Sequence, residues 1–177
     1  MIDHELGTMF LDSVQKRFEN VKALGDGALD QLKEDEYYRA PSPESTSVSI
    51  LLQHLHGNMM SRWTDFLNSD GEKPTRDRDS EFVEQHLHVE TLMEHWEAGW
   101  ACLFHALGGL ETGDLAKEVR VRGAAMSALD AIERQLSHYS YHVGQIVYLA
   151  RMFRDAEWQT LSIPKGGSGA YQATPRD

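Results

Sequence analysis

The sequence is poor in several features, and each shortage removes a class of protein. Cys102 is the single cysteine among 177 residues, so no intrachain disulfide can form, and a reducing cytoplasm is the expected compartment. No run of 18 apolar residues occurs, so no helical membrane span is expected. Basic residues are outnumbered, with 17 Lys and Arg against 28 Asp and Glu and a formal charge of −11. That balance disfavours nucleic acid and anionic membrane surfaces as partners. Met1-Ile2-Asp3-His4-Glu5 lacks the charged-then-apolar pattern of a secretion signal. No repeat of fixed period is visible, and low complexity is confined to the tail. The His-Glu-x-x-His pattern of metalloproteases is missing as well, because Tyr139 follows His138.

What remains is an ordinary globular composition, 41% hydrophobic and 25% charged, in a length that suits one domain over residues 1–177. Four long helical patterns account for most of it. The first runs from about Asp3 to Lys33, with Leu6, Phe10, Val14, Phe18, Val21, Ala28, Leu29 and Leu32 on its apolar stripe and Gly25 and Gly27 weakening it. A loop with Pro41 and Pro43 follows. The second pattern starts near Ser45-Thr46-Ser47, good N-cap residues, and stops at Asn68-Ser69-Asp70-Gly71. Glu72 to Asp79 reads as an exposed charged loop. The third pattern runs from Ser80 to Leu107 and ends at Gly108-Gly109. Leu115 to Arg122 alternate as one short strand or hairpin arm closed by Gly123. The fourth pattern opens at Ser127, with Asp130 three residues on, and continues to Phe153. From Trp158 the chain is a tail, packed at Leu161-Ser162-Ile163 and loose beyond. Four amphipathic helices with almost no strand argue for an all-α, antiparallel four-helix bundle.

The fourth pattern carries the chemistry. His138 and His142 lie four residues apart, on the apolar stripe of Ile132, Tyr139, Ile146, Leu149 and Phe153, and so are expected to look inward. Side chains at that spacing are neighbours on a helix face, about 5–6 Å apart at Cβ. Two such imidazoles can address one metal ion at about 2.0–2.1 Å each; the alternative is a pair of core histidines bonded to backbone carbonyls. A third ligand from another helix decides between these readings. His86, His88, His95 and His105 sit among Glu and Gln and read as a solvated face, and His4 as a solvated chain end. His54 and His56 flank the stripe of the second pattern on opposite sides, and spacing leaves both open. Asn58, four residues after His54, tilts the choice toward His54 because it can orient a ligand or water. Gln145 and Arg62 are candidates for contacting a bound ligand or an anionic substrate group, against a structural role for each. Cys102, Trp63, Trp96 and Trp100 read as packing residues, and Tyr139 and Tyr141 as packing or network residues.

The segments His54-Leu55-His56-Gly57-Asn58-Met59-Met60-Ser61-Arg62-Trp63 and His138-Tyr139-Ser140-Tyr141-His142-Val143-Gly144-Gln145-Ile146 together resemble the DinB-like (YfiT-like) metalloenzyme superfamily, and within it a subgroup known only as a domain of unknown function. The likeness extends to Gly71-Glu72-Lys73-Pro74 and to Trp158 with Leu161-Ser162-Ile163-Pro164, so it covers nearly the whole chain. It implies a four-helix bundle in up-down-down-up order and a homodimer. It also implies a divalent metal ion, zinc or nickel first, held by His54, His138 and His142, with His56 facing elsewhere. Some members of the superfamily are transferases or isomerases that use low-molecular-weight thiols such as bacillithiol or mycothiol. Three imidazoles leave a coordination position open, so thiol transfer and hydrolysis of small molecules are both within reach. The other expectation is a non-catalytic metal-binding stress-response protein, since no general base is evident on the same face.

Overall fold

A computed structural model of the chain describes residues 4–170; Asp3 at the first pattern's start and the final part of the tail lie outside the described residues. Four helices make up most of it: α1 (His4–Leu29), α2 (Val48–Trp63), α3 (Val89–Gly108) and α4 (Ala128–Arg154). Between α3 and α4 stands an antiparallel hairpin, β1 (Glu118–Val121) and β2 (Ala124–Ser127), with Glu118 opposite Ser127 and Val121 opposite Ala124. Helix α1 packs chiefly on α4, and α2 on α3. Their apolar faces meet in one core whose largest fully buried members include Phe18, Trp63, Trp96, Trp100 and Tyr139. Phe18 meets Trp63 edge-on, with ring centroids 5.9 Å apart at 89°, the geometry that the aromatic quadrupole favours.

Local chemistry explains most boundaries. Ser47 and Ser127 cap α2 and α4, each side chain accepting from a backbone N–H three residues on, at Ile50 (3.2 Å) and Asp130 (3.1 Å). Gly25 does not break α1; the Trp96 ring packs where a Cβ would stand, and the Trp96 indole donates to Asp26 at 2.7 Å. Leu6, expected on the α1 stripe, is exposed.

Three helix boundaries differ from expectation. Helix α1 ends at Leu29, where the chain turns into a short 3-10 segment (Glu34–Tyr37). Helix α2 ends at Trp63, before Phe66, because Thr64 is extended and Asp65 takes a positive φ of 51°. The third helix starts at Val89, not Ser80. Residues 80–88 form a short 3-10 turn (Ser80–Phe82) and an extended strap across α2. Side chains of α2 hold the strap: Gln53 donates to Val83 O at 3.0 Å, and Ser47 donates to Glu84 at 2.9 Å. Such bonds offer the backbone an alternative to helix. The hairpin takes its first arm, β1, from the alternating stretch, while Leu115 and Ala116 close a 3-10 turn (Thr112–Ala116) and β2 follows Gly123. Arg122 (φ 54°) and Gly123 (φ 76°) form its two-residue turn. Asp70 accepts from both turn amides, at 2.8 and 2.7 Å, which ties the hairpin to the loop after α2. In the tail, Leu161 packs against α1 at Gly27, while Ser162 and Ile163 are exposed.

Candidate metal centre

His54 leaves α2 toward α4 and is almost completely buried; His138 and His142 leave successive turns of α4 and are half-buried. Their Nε2 atoms converge: His138 Nε2 is 3.3 Å from that of His54 and 3.1 Å from that of His142. One ligand atom from each ring lies within 4.8 Å of the others. Two nitrogens bound tetrahedrally to one ion at about 2.05 Å stand about 3.3 Å apart.

The surrounding groups decide which nitrogens carry protons. His54 Nδ1 is 2.9 Å from Glu81 Oε2. Burial raises the Glu81 carboxyl, but the bonds from Arg76 and His54 outweigh it and hold the group below the ordinary glutamate range. An ionised carboxylate only accepts, so His54 carries its proton on Nδ1 and offers a lone pair at Nε2. Gln145 does the same for His142: Nδ1 donates to Gln145 Oε1 at 2.8 Å, and the Gln145 amide nitrogen donates to Tyr141 OH at 3.4 Å. His138 is pushed down to about 3, by burial first and then by the other two histidines and Arg62. Burial also lowers His142. Both are therefore neutral near pH 7.

A conflict follows. If His138 is protonated on Nε2, one hydrogen serves one neighbour and the other contact sets two lone pairs together. If it is protonated on Nδ1, three lone pairs face a common centre. His138 Nδ1 is buried without a hydrogen-bond partner among the described residues. Three lone pairs at this separation suit a cation, and neutral imidazole is the ligating form. The donor set therefore fits a divalent metal ion.

The supports come from residues that pattern reasoning passed over. Arg76 grips Glu81 with Nε and Nη2, both at 2.7 Å, so the loop expected to be exposed buries a guanidinium. Glu81 comes close because Gly57 faces it; a Cβ at Gly57 would collide with Glu81 Oε1. The available signal was chemical rather than periodic. A buried histidine that presents Nε2 needs an acceptor at Nδ1, and Glu81 is one of the acidic residues in the segment that follows α2.

The remaining candidates are placed as follows. Asn58 is buried on the same side as His54 and lines the cleft with it. Trp63 Nε1 donates to Tyr139 OH at 3.0 Å, and Tyr139 OH donates to Asn58 Oδ1 at 3.0 Å. Arg62 donates to Gly71 O and, at 2.8 Å, to Glu72, which makes it a structural tie across the end of α2. Gln145 touches His142 itself. Tyr141, read as a packing or network residue, is exposed and accepts from the Gln145 amide. His56 points to α3. Among the expected solvated histidines, His4, His86, His88 and His105 are exposed, whereas His95 is half-buried against His56. Cys102 is half-buried beside Thr64.

The three histidines form the floor of a cleft of about 370 Å³, lined also by Asn58, Phe82 and Gln135. Fold and site together define a helical protein with a three-histidine group able to hold a metal ion. The chain belongs to the family described as "Protein of unknown function (DUF1572)", whose model matches residues 5–167. No curated protein matches it. Among solved structures it is similar to one described as "Crystal structure of the conserved protein of locus from Enterococcus faecalis", at 19% identity and a TM-score of 0.52, over 86% of this chain and 97% of that one. At that identity the likeness concerns the fold alone.

Proposed function

We propose that this protein is a metal-dependent enzyme acting on small molecules, with His54, His138 and His142 as the ligands of a zinc or nickel ion. The observation that supports it is the convergence of three Nε2 lone pairs at the floor of an open cleft, two of them aimed by Glu81 and Gln145. Bound there, the cation supplies Lewis acidity at whatever coordination position the protein leaves vacant. The chain's own groups do the rest. Glu81 and Gln145 fix ring orientation and proton position, and Arg76 keeps Glu81 charged. Tyr139 occupies the Asn58 carbonyl, which leaves the Asn58 amide hydrogens for a substrate. The reaction class is transfer to a low-molecular-weight thiol, or hydrolysis. The same reading takes the fold as DinB-like, with up-down-down-up helices, and the protein as a homodimer in the cytoplasm.

One observation favours a second reading, a non-catalytic metal-binding stress-response protein: no carboxylate lines the cleft to serve as a general base. Metal analysis followed by turnover assays on panels of thiols, electrophiles and esters separates the two. We expect one tightly bound divalent ion per chain and turnover that disappears in His138→Ala. Tight metal binding without turnover on any panel selects the second reading; no metal binding removes both.

A further inference from the structure

The cleft is electrostatically unlike the molecule that holds it. The chain carries −11 overall, with 17 basic side chains. Five of these, Arg62, Arg76, Arg78, Arg122 and Arg134, line this one cleft, and no Asp or Glu lines it. Arg62, Arg76 and Arg122 share two carboxylates behind them, Glu72 and Glu81. Arg78 and Arg134 are exposed, and neither makes an ion pair among the described residues. Arg78 lies over the Phe82 ring, 4.8 Å from its centroid, and that ring leans on His54, with centroids 4.6 Å apart at 36°. The hairpin turn presents Arg122 beside them, pinned by Asp70.

Further polar groups of the cleft wall lack partners. Arg62 Nε and Gln135 Oε1 are buried without a hydrogen bond among the described residues, on residues themselves only 6% and 4% exposed. Imidazole ligands bring no negative charge, so a cation on them would add to this positive field. Guanidinium forks match carboxylate and phosphate oxygens geometrically, and in a narrow cleft like charges repel strongly unless an anion lies between them.

We infer that the cleft takes a small polyanion, a compound with at least two carboxylates or a phosphate group, gripped at the mouth by Arg78 and Arg134. This rests on the metal reading for the charge at the floor; the arginines act with or without it. The ligand carries its anionic groups outward toward the arginines and a neutral or thiol-bearing end inward toward the histidines.

Calorimetric titration of the full chain, with and without zinc, tests this using inorganic phosphate, tricarballylate and acetate. Phosphate or tricarballylate should bind about tenfold or more tightly than acetate. The double variant Arg78→Ala/Arg134→Ala should weaken that binding by about tenfold, because two charge-assisted contacts are lost, and leave zinc affinity within about twofold. Both changes are at exposed positions, and circular dichroism checks that the fold is kept. Preference for phosphate assigns a phosphate ester, and preference for tricarballylate a polycarboxylate. Equal affinity for all three probes, or polyanion affinity untouched by the double variant, overturns the inference. Zinc binding without polyanion preference removes this inference alone. Polyanion preference without zinc binding removes the metal reading and keeps this one.

Discussion

His54 and His56 leave the same helix two residues apart and meet different chemistry. At about 100° per residue they are separated by about 200°, so one faces α4 and the other α3. His54 Nδ1 donates to an ionised carboxylate, and its Nε2 meets two further imidazoles. His56 Nδ1 donates to the backbone carbonyl of His95 at 2.9 Å, and its ring lies flat on that of His95, 4.3 Å away at 11°. Burial lowers His56, so it is neutral near pH 7. A satisfied Nδ1 therefore does not by itself mark a metal site. The difference lies in the second nitrogen: on one side it converges with others, and on the other no such convergence forms.

The comparison can be broken at several points. The largest effect is expected at the convergent side. His138→Ala or His54→Ala should lower zinc affinity beyond the roughly 100-fold that loss of a supporting residue costs, as read by competition with a chromophoric chelator. Next comes Glu81→Ala. It frees His54 to rotate and leaves Arg76 buried without its main partner, so zinc affinity should fall about 10–100-fold. The metal-free protein should lose about 3–5 kcal/mol in urea unfolding, the usual result of breaking a buried ion pair. An unchanged affinity would mean that Glu81 does not orient His54.

pH sharpens the same contrast. His138 titrates near 3 in the folded protein against an ordinary 6.5. Over that interval the unfolded chain binds the extra proton, so stability falls as pH falls. Metal-free protein should therefore lose stability progressively below about 6.5, with His142 and His56 adding in the same direction. Replacing His138 with Phe should flatten the profile, measured as melting temperature against pH. The smallest effect is expected on the other side of α2. His56→Ala should change zinc affinity by less than about threefold while costing about 1–3 kcal/mol of stability, since the lost side-chain bond and packing are structural. Equal zinc losses at His54 and His56 would dissolve the distinction.

How much of this was legible beforehand depends on the range of the interaction. Helices α2 and α4 announce themselves through apolar periodicity and serine caps, which are local. The His138/His142 pair follows from helical spacing alone. The ends of α2 and α3 were misjudged because Phe66 and Phe82 extend the apolar rhythm past the point where side-chain bonds from Gln53, Ser47 and Asp70 redirect the backbone. Those bonds span 30, 37 and 52 positions along the chain, and no short window of sequence contains them.

By itself the sequence determined an all-helical chain, poor in cysteine and basic charge, with two imidazoles on one face of its last helix. Only the tertiary structure decided that His54 rather than His56 completes the group, that Arg76 and Glu81 fold back to hold it, and that scattered arginines gather over it. The physical reason is that periodicity reports which face of a helix is buried, whereas the partner meeting that face is set by packing between distant segments.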